Sequence, residues 1–325
     1  MSEQKPLVVI FGASGETGRS IVEGLLRSGE FRVAAVARNP SKPNLVKFAE
    51  RGVTVHQADL LAVTQERLRE ILTGADCAIA TLPPTCIEAQ KDIVEAAKAV
   101  GVRRFVPDDF GTEAPTGVMY LHDQACPQSS HKLAIREYIK KSGLGYTFIE
   151  VGYWMHFVVP WPVQLTGFAA DLTREVVGTG DVPLALTNLS HIGDYVARVI
   201  KDDRTLNQTV LIWEDEKTQN QGWAHTERKL GSDFVQQKKK IPEAELMKQL
   251  EAARAAPPEQ IVMRYIAEYR YSMYIRGDNT VAKAKAAGAL DFKELYPDVK
   301  APTFEEFMDA FYESPYVPYA DAFET

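Results

Sequence analysis

The chain is poor in the residues that would make several chemistries easy. Of its 325 residues only three are cysteine, Cys77, Cys86 and Cys126. Neither their number nor their spacing suits a disulfide framework or a zinc site, so reduced thiols in a reducing compartment are expected. The six histidines are scattered without ligand spacing, and no metal site is expected. Lysine and arginine are outnumbered by acids, leaving a net charge of −7. No broad basic field exists to hold a phosphate backbone, which argues against nucleic acid as a partner. The one basic run, Lys238-Lys239-Lys240, reads as a solvated loop. No apolar run approaches the length of a membrane span, and the polar opening Met1-Ser2-Glu3-Gln4-Lys5 has no signal-peptide pattern. A cytoplasmic protein that does not engage membranes is expected. A Gly-x-Ser-x-Gly nucleophile elbow is absent, as are internal repeats.

What is present is ordinary globular material, 45% hydrophobic and 25% charged. From residue 7 to about 151 strand and helix patterns alternate. Strands are expected at Leu7–Phe11, Arg32–Ala37, Val53–Gln57, Cys77–Leu82, Arg104–Pro107 and Tyr146–Val151, with helices at about 16–28, 42–51, 64–73, 86–100 and 129–142. Several strands are apolar throughout, as in a parallel sheet covered on both faces. The expected fold class is α/β, a Rossmann-type doubly wound parallel sheet with ligands at the strand carboxyl ends. Residues 1–151 form the expected dinucleotide-binding domain, its sheet open to completion by later strands. Residues 152–325 form a smaller, mostly helical substrate-binding region. There, short strands are expected at about 174–178 and 209–213. Ser190 is the expected N-cap of a helix carrying Ile192, Tyr195, Val196, Val199 and Ile200. Pro242 opens a helix with Leu246 and Leu250 on one face, and another helix follows over 259–275. Thr303 and Glu306 form a capping box before Phe307, Met308 and Phe311.

The sheet is organised around Val8-Val9-Ile10-Phe11-Gly12-Ala13-Ser14-Gly15-Glu16-Thr17-Gly18. An apolar strand ends in a G-x-x-G-x-x-G turn and a helix follows at once. Such a turn lets the backbone approach a pyrophosphate, which the N–H groups of the helix start bind. Gly12, Ser14, Gly15, Glu16, Thr17 and Gly18 are therefore expected around the cofactor. Arg38 follows the second strand, where an acid would bind the ribose of NAD and an arginine accommodates the 2′-phosphate of NADP. No Asp or Glu occupies 36–40, so NADPH is favoured. Lys42 either adds charge there or is solvated. Asp59, closing the third strand, either borders the adenine or caps a turn. Leu82 and Pro83, in Thr81-Leu82-Pro83-Pro84, either border the dinucleotide or end the strand.

Lys132 opens a helix, and the residue four before it is Gln128, so the Tyr-x-x-x-Lys pair of ordinary short-chain dehydrogenases is absent. A lysine alone can serve as general acid or base when its surroundings lower its pKa. Read from pattern alone, Lys132 is more readily an exposed helix lysine, the usual fate of lysines. His131, His122 and Tyr120 are further proton carriers by residue type. Past the sixth strand come Gly152-Tyr153-Trp154-Met155-His156-Phe157 and Val158-Val159-Pro160-Trp161-Pro162. Tyr153, Trp154, His156 and Phe157 either line a pocket for an aromatic substrate or build core.

The chain resembles the isoflavone reductase family, with its pinoresinol-lariciresinol and phenylcoumaran benzylic ether reductases, atypical short-chain dehydrogenases within the NmrA-like superfamily. The resemblance is carried by the Gly12–Gly18 turn, by Ala97-Lys98-Ala99-Val100-Gly101-Val102-Arg103-Arg104-Phe105-Val106-Pro107 leading to Asp109-Phe110-Gly111, by Lys132 through Tyr146-Thr147-Phe148, and by Glu294-Leu295-Tyr296-Pro297-Asp298-Val299-Lys300 with Thr303 and Phe307. It implies an NADPH-dependent reductase of phenolic or alkaloid-like specialised metabolites, with Lys132 as catalytic acid/base, Arg38 on the 2′-phosphate, and Trp154 in the place of a phenylalanine near the nicotinamide. Gly152 stands where many relatives have asparagine, and Asp108 where serine is common. Two other readings use the same residues: an NADP-sensing regulator without turnover, and a cyclase or isomerase that keeps NADP(H). The expected partner is a small aromatic substrate, and a homodimer is compatible with this reading.

Overall fold

The computed structural model describes residues 4–112, 127–166, 168–257 and 260–319. Tyr120, His122 and Cys126 lie outside the described residues, as do the side chains of Gln128 and His131. The described chain divides into two compact units. The first holds residues up to Phe110, Ser130–Glu150 and Leu189–Val210; the second holds the remainder.

The first unit is built on β1 (Leu7–Phe11), β2 (Arg32–Ala37), β3 (Thr54–Gln57), β4 (Cys77–Ala80) and β5 (Arg104–Val106), in the spatial order β3-β2-β1-β4-β5. All four pairings are parallel. The crossovers run through α1 (Glu16–Ser28), α2 (Pro43–Glu50), α3 (Gln65–Leu72) and α4 (Gln90–Ala99). Then α5 (Pro127–Ser142) leads to β6 (Thr147–Glu150), joined to β5 by a parallel bridge between Phe105 and Tyr146. This is the doubly wound, Rossmann-type sheet that the apolar strands foretell. Strands β1 and β4 are buried on both faces, and one core cluster runs from Val9 and Phe11 through Leu68, Ile93 and Phe105 to Phe148. The thiol of Cys77 lies in this core, and burial pushes it up to about 12, too high for a nucleophile.

The later part of the chain contributes helix Ile192–Lys201, packed on α1 at a glycine crossing. A Cβ on Gly24 would fall 2.0 Å from the Gly193 carbonyl carbon, and one on Gly193 would fall 1.8 Å from the Ser20 oxygen. The Ser20 hydroxyl donates to the Leu189 carbonyl at 2.7 Å, fixing the approach. The fully buried Arg104 donates to Thr147 Oγ1, Thr205 Oγ1 and the Val199 and Asp202 carbonyls, so β5 and β6 are tied to this helix and its exit. Ser190 is not the N-cap: the chain enters through a 3-10 turn, Leu189–His191, and His191 takes that position.

The second unit has no βα alternation. Tyr153–Trp154, Leu184–Thr187 and Asp215–Lys217 form one small sheet, and Glu175–Val177 pairs with Lys239–Ile241. The basic run expected as a loop therefore lends Lys239 and Lys240 to a strand, both side chains exposed. Thr303 and Glu306 do close a capping box on helix Phe304–Glu313, and Phe307, Met308 and Phe311 are buried with Trp161 and Leu246. The helix expected over 259–275 is α-helical over Ile261–Arg270 and then widens into a π-helical stretch, Tyr271–Arg276. No helix among the described residues is long and apolar enough to cross a membrane.

Candidate functional site

The glycines of the opening turn do different work. Gly12 has φ +86, and a Cβ there would lie 2.1 Å from the Thr81 carbonyl oxygen. A Cβ on Gly18 would meet the Gly12 oxygen at 2.4 Å. Both must be glycine for the protein's own packing of β1 and α1 against the end of β4. Gly15 differs: a side chain there would meet nothing closer than the Gly12 oxygen, at 3.5 Å. It is the N-cap of α1, in extended conformation, and no side chain caps the helix. The N-terminus of α1 is thus a set of backbone donors beside a position open to a ligand, suited to a pyrophosphate. Among the turn's other residues, the Ser14 carbonyl accepts from Asn44 Nδ2 at 3.2 Å, and Glu16 pairs with Arg19 at 2.5 Å. Thr17 follows in the first turn of α1.

Arg38 emerges from the carboxyl end of β2 and is exposed; its guanidinium has no acidic partner among the described residues, and only its carbonyl is engaged, by Gln57 Nε2 at 3.2 Å. Lys42, at the N-cap of α2, is exposed too. In dinucleotide folds generally, an arginine near the end of the second strand can accommodate a 2′-phosphate. Asp59 is exposed and caps a turn, its carboxylate accepting from the Leu61 amide at 3.1 Å. Leu82 is buried and Pro83 exposed at the exit of β4.

Lys132 is no solvated lysine. Its side chain is 20% exposed, its Nζ donates to the Asp109 carbonyl at 3.0 Å, and Asp108 Oδ2 lies 3.9 Å away. Both aspartates follow the carboxyl end of β5, as Gly12 follows that of β1, so parallel strands carry lysine and glycine turn at the same end of one sheet. The loop that holds them is tight: the Asp109 amide donates to the Pro107 carbonyl at 2.8 Å, and Phe110 takes φ +24. One helical turn beyond Lys132, Arg136 bridges Asp109 at 3.0 Å and Glu150, at the end of β6, at 2.9 Å, with its guanidinium 4.9 Å from the Phe148 ring centre. Burial pushes the Glu150 carboxyl up while Arg136 opposes that shift. Asp108 is held by a hydrogen bond from its amide to Gln90 Oε1 at 2.8 Å. Burial pushes its carboxyl up to about 6, against the pull of the Lys132 charge.

Sequence reading did not assemble this network of Gln90, Asp108, Asp109, Arg136 and Glu150. Two signals for it exist: Arg136 lies at i+4 from Lys132, on the same helix face, and Glu150 is the one charged residue of its buried strand.

In the second unit the aromatic block is packed. Trp154 stacks on Phe157 at 5.9 Å and on Tyr319 at 5.8 Å. His156, 4% exposed, has its ring edge-on to Phe307 at 4.7 Å and Tyr316 at 5.8 Å. Tyr153 and Phe157 are half-buried. Gly152 has φ +60, and a Cβ would lie 2.4 Å from the Ala185 oxygen, so the backbone itself calls for glycine there.

A doubly wound sheet, an uncapped glycine-rich helix start and a shielded lysine define a dinucleotide-dependent oxidoreductase type of site. Comparison with known proteins agrees with that class. Residues 4–308 match the NmrA-like family. The chain is 34% identical over 318 residues to asnovolin J 5′,6′-dehydrogenase of Aspergillus novofumigatus, covering 93% of this chain and 94% of the relative. It is 30% identical over 317 residues to an isoflavone reductase-like protein of Olea europaea, covering 94% and 99%. Among solved structures, the leucoanthocyanidin reductase–NADPH binary complex from Vitis vinifera superposes with a TM-score of 0.74 at 21% identity, over 94% of this chain and 99% of that one. The chain belongs to the NmrA-like family, among its isoflavone reductase-like oxidoreductases.

Proposed function

We propose that this chain is an NADPH-dependent reductase of a small aromatic metabolite, phenolic or alkaloid-like, with Lys132 as proton donor. The observation that carries the reading is the lysine itself: shielded, fixed by the Asp109 carbonyl, and set at the same sheet end as the glycine turn. The residues fit the cofactor, since Gly15 leaves room for a pyrophosphate and Arg38 offers a 2′-phosphate a guanidinium with no acidic partner among the described residues. NADPH, when bound, supplies the hydride. The chain's own part is to bind it through Gly12–Gly18, Arg38 and Lys42, with Asp59, Leu82 and Pro83 along its border, and to give a proton from Lys132 Nζ to the reduced substrate. Tyr153 and Phe157 offer partly exposed ring surface to an aromatic substrate; Trp154 stacks on Phe157, and His156 packs behind them on Phe307 and Tyr316. NADPH oxidation with a panel of aromatic acceptors bearing C=C, C=N or benzylic centres tests this. Lys132→Ala is expected to lower kcat by about 100-fold or more on an accepted substrate; full activity in the folded variant would remove Lys132 from the chemistry.

The dehydrogenase relative supports a second reading, hydride transfer in the opposite direction with Lys132 as base. Reduction of NADP+ by a saturated substrate, with no turnover of its unsaturated counterpart by NADPH, would favour it.

A further inference from the structure

We propose that Asp108 is the positioning residue that keeps Lys132 in its ammonium form, ready to give a proton rather than take one. The inference rests on the reading of Lys132 as proton donor and adds to it a charge partner and a direction.

Two features around Lys132 favour the neutral amine. Its side chain is only 20% exposed, and the Arg136 guanidinium lies one turn along the same helix. Burial and a like charge both lower a lysine's pKa. The opposing carboxylates are unevenly shared. Asp109 gives its carboxylate to Arg136 at 3.0 Å and only its backbone carbonyl to Lys132; Glu150 also faces Arg136. Among the described residues, Gln90 from α4 and the Leu82 backbone beyond β4 are neutral and hold Asp108 itself. Asp108 turns its carboxylate to Lys132: its Oδ2 lies 3.9 Å from Nζ and its side chain is 14% exposed. A charge pair at that distance, shielded from water, shifts a partner's pKa by about one to three units. Serine, common at this position in the family the chain resembles, supplies no such charge.

The pH dependence of Lys132 acylation, read by peptide mass spectrometry after competitive labelling with acetic anhydride, measures its protonation without substrate or cofactor. In Asp108→Asn and Asp108→Ser the labelling midpoint is expected to fall by about one to three pH units from wild type. An unchanged midpoint in a folded variant overturns the proposal. The reciprocal measurement needs no change at Asp108: in Lys132→Met the Asp108 carboxyl carbon, followed by 13C NMR, titrates at higher pH than in wild type, and an unmoved midpoint overturns it equally. On an accepted substrate the alkaline limb of kcat moves down with the labelling midpoint. A labelling shift that leaves the kcat profile in place would uphold the charge coupling and instead remove Lys132 as the proton donor, so the two failures are distinguishable.

Discussion

In the first unit the residues singled out for chemistry sit on turns and helix starts, held by backbone geometry and by charges that face one another; in the second they sit in a run of rings held by packing. Gly12, Lys132 and Asp108 are fixed by carbonyls, amides and carboxylates within 2.1 to 3.9 Å of a side chain or of the place where one would be. Trp154, His156 and Trp161 are fixed by neighbouring rings and are buried. The first arrangement holds particular atoms toward a ligand. The second sets shape and tolerates exchange of one ring for another of similar volume. Function in the first unit should thus respond to single atoms, and in the second to volume.

The glycine turn gives the sharpest break of that comparison, because Gly12 and Gly15 lie three residues apart and differ in what surrounds them. Gly12→Ala is expected to cost about 3 kcal/mol or more in a denaturant titration, since the left-handed φ and the Thr81 carbonyl both reject a Cβ. Gly15→Ala should change stability by no more than about 1 kcal/mol. NADPH affinity in Gly15→Ala should nonetheless fall by about tenfold or more, because the methyl enters space kept for the ligand. If Gly15→Ala binds NADPH as well as wild type, the open side of the turn has another purpose.

Asp108 gives an effect of similar size that depends on pH. Its folded-state pKa, about 6, is raised above the ordinary 3.8, with burial as the main cause. Between those values the folded protein holds a proton that the unfolded chain has released. The contribution is therefore fully present below the unfolded value and lost as pH rises through about 6, a difference of up to about 3 kcal/mol. Asp108→Asn should remove this slope and be the more stable protein near neutrality. The same slope in wild type and variant would place the raised pKa elsewhere. A stabilising variant that weakens catalysis is the expected signature of a carboxylate kept for function.

Trp161 tests the packed region. It is 1% exposed, and its indole N–H donates to the His156 carbonyl at 2.7 Å. Trp161→Phe keeps an aromatic ring but leaves that carbonyl unpaired, at a cost of about 2 kcal/mol by thermal or denaturant unfolding. Phenylalanine tolerated without loss would show that the ring alone matters.

What the sequence revealed follows the same division. Strands β1 and β2 and helix α1 begin and end where the apolar runs and glycines say they should, because a parallel strand buried on both faces leaves a continuous signal. The stretch read as one helix over 86–100 is a 3-10 segment, Pro84–Ala89, followed by α4, a tightening of the first turns that an apolar period does not mark. The widening to π geometry after Arg270 leaves no mark in a 3.6-residue period. The Gly12–Gly18 turn was legible because its spacing is local. The Asp108–Lys132 pair was not: it joins a strand end to a helix 24 positions later, and no local pattern says which of two adjacent aspartates faces the lysine.

The smallest effect on stability belongs to Arg38, and it is the most selective. The side chain is exposed and has no carboxylate partner among the described residues, so Arg38→Ala should leave the unfolding free energy within about 0.5 kcal/mol of wild type. Its guanidinium can still present a planar fork to a phosphate, which a ribose hydroxyl does not require. Fluorescence titration of the variant should show NADPH affinity lowered by about 10- to 100-fold and NADH affinity unchanged. Lys42, equally exposed at the start of α2, should contribute less, because an ammonium offers a point charge rather than a bidentate contact. If NADPH and NADH weaken alike in Arg38→Ala, the arginine serves the adenosine as a whole, and the preference for the 2′-phosphate must come from Lys42.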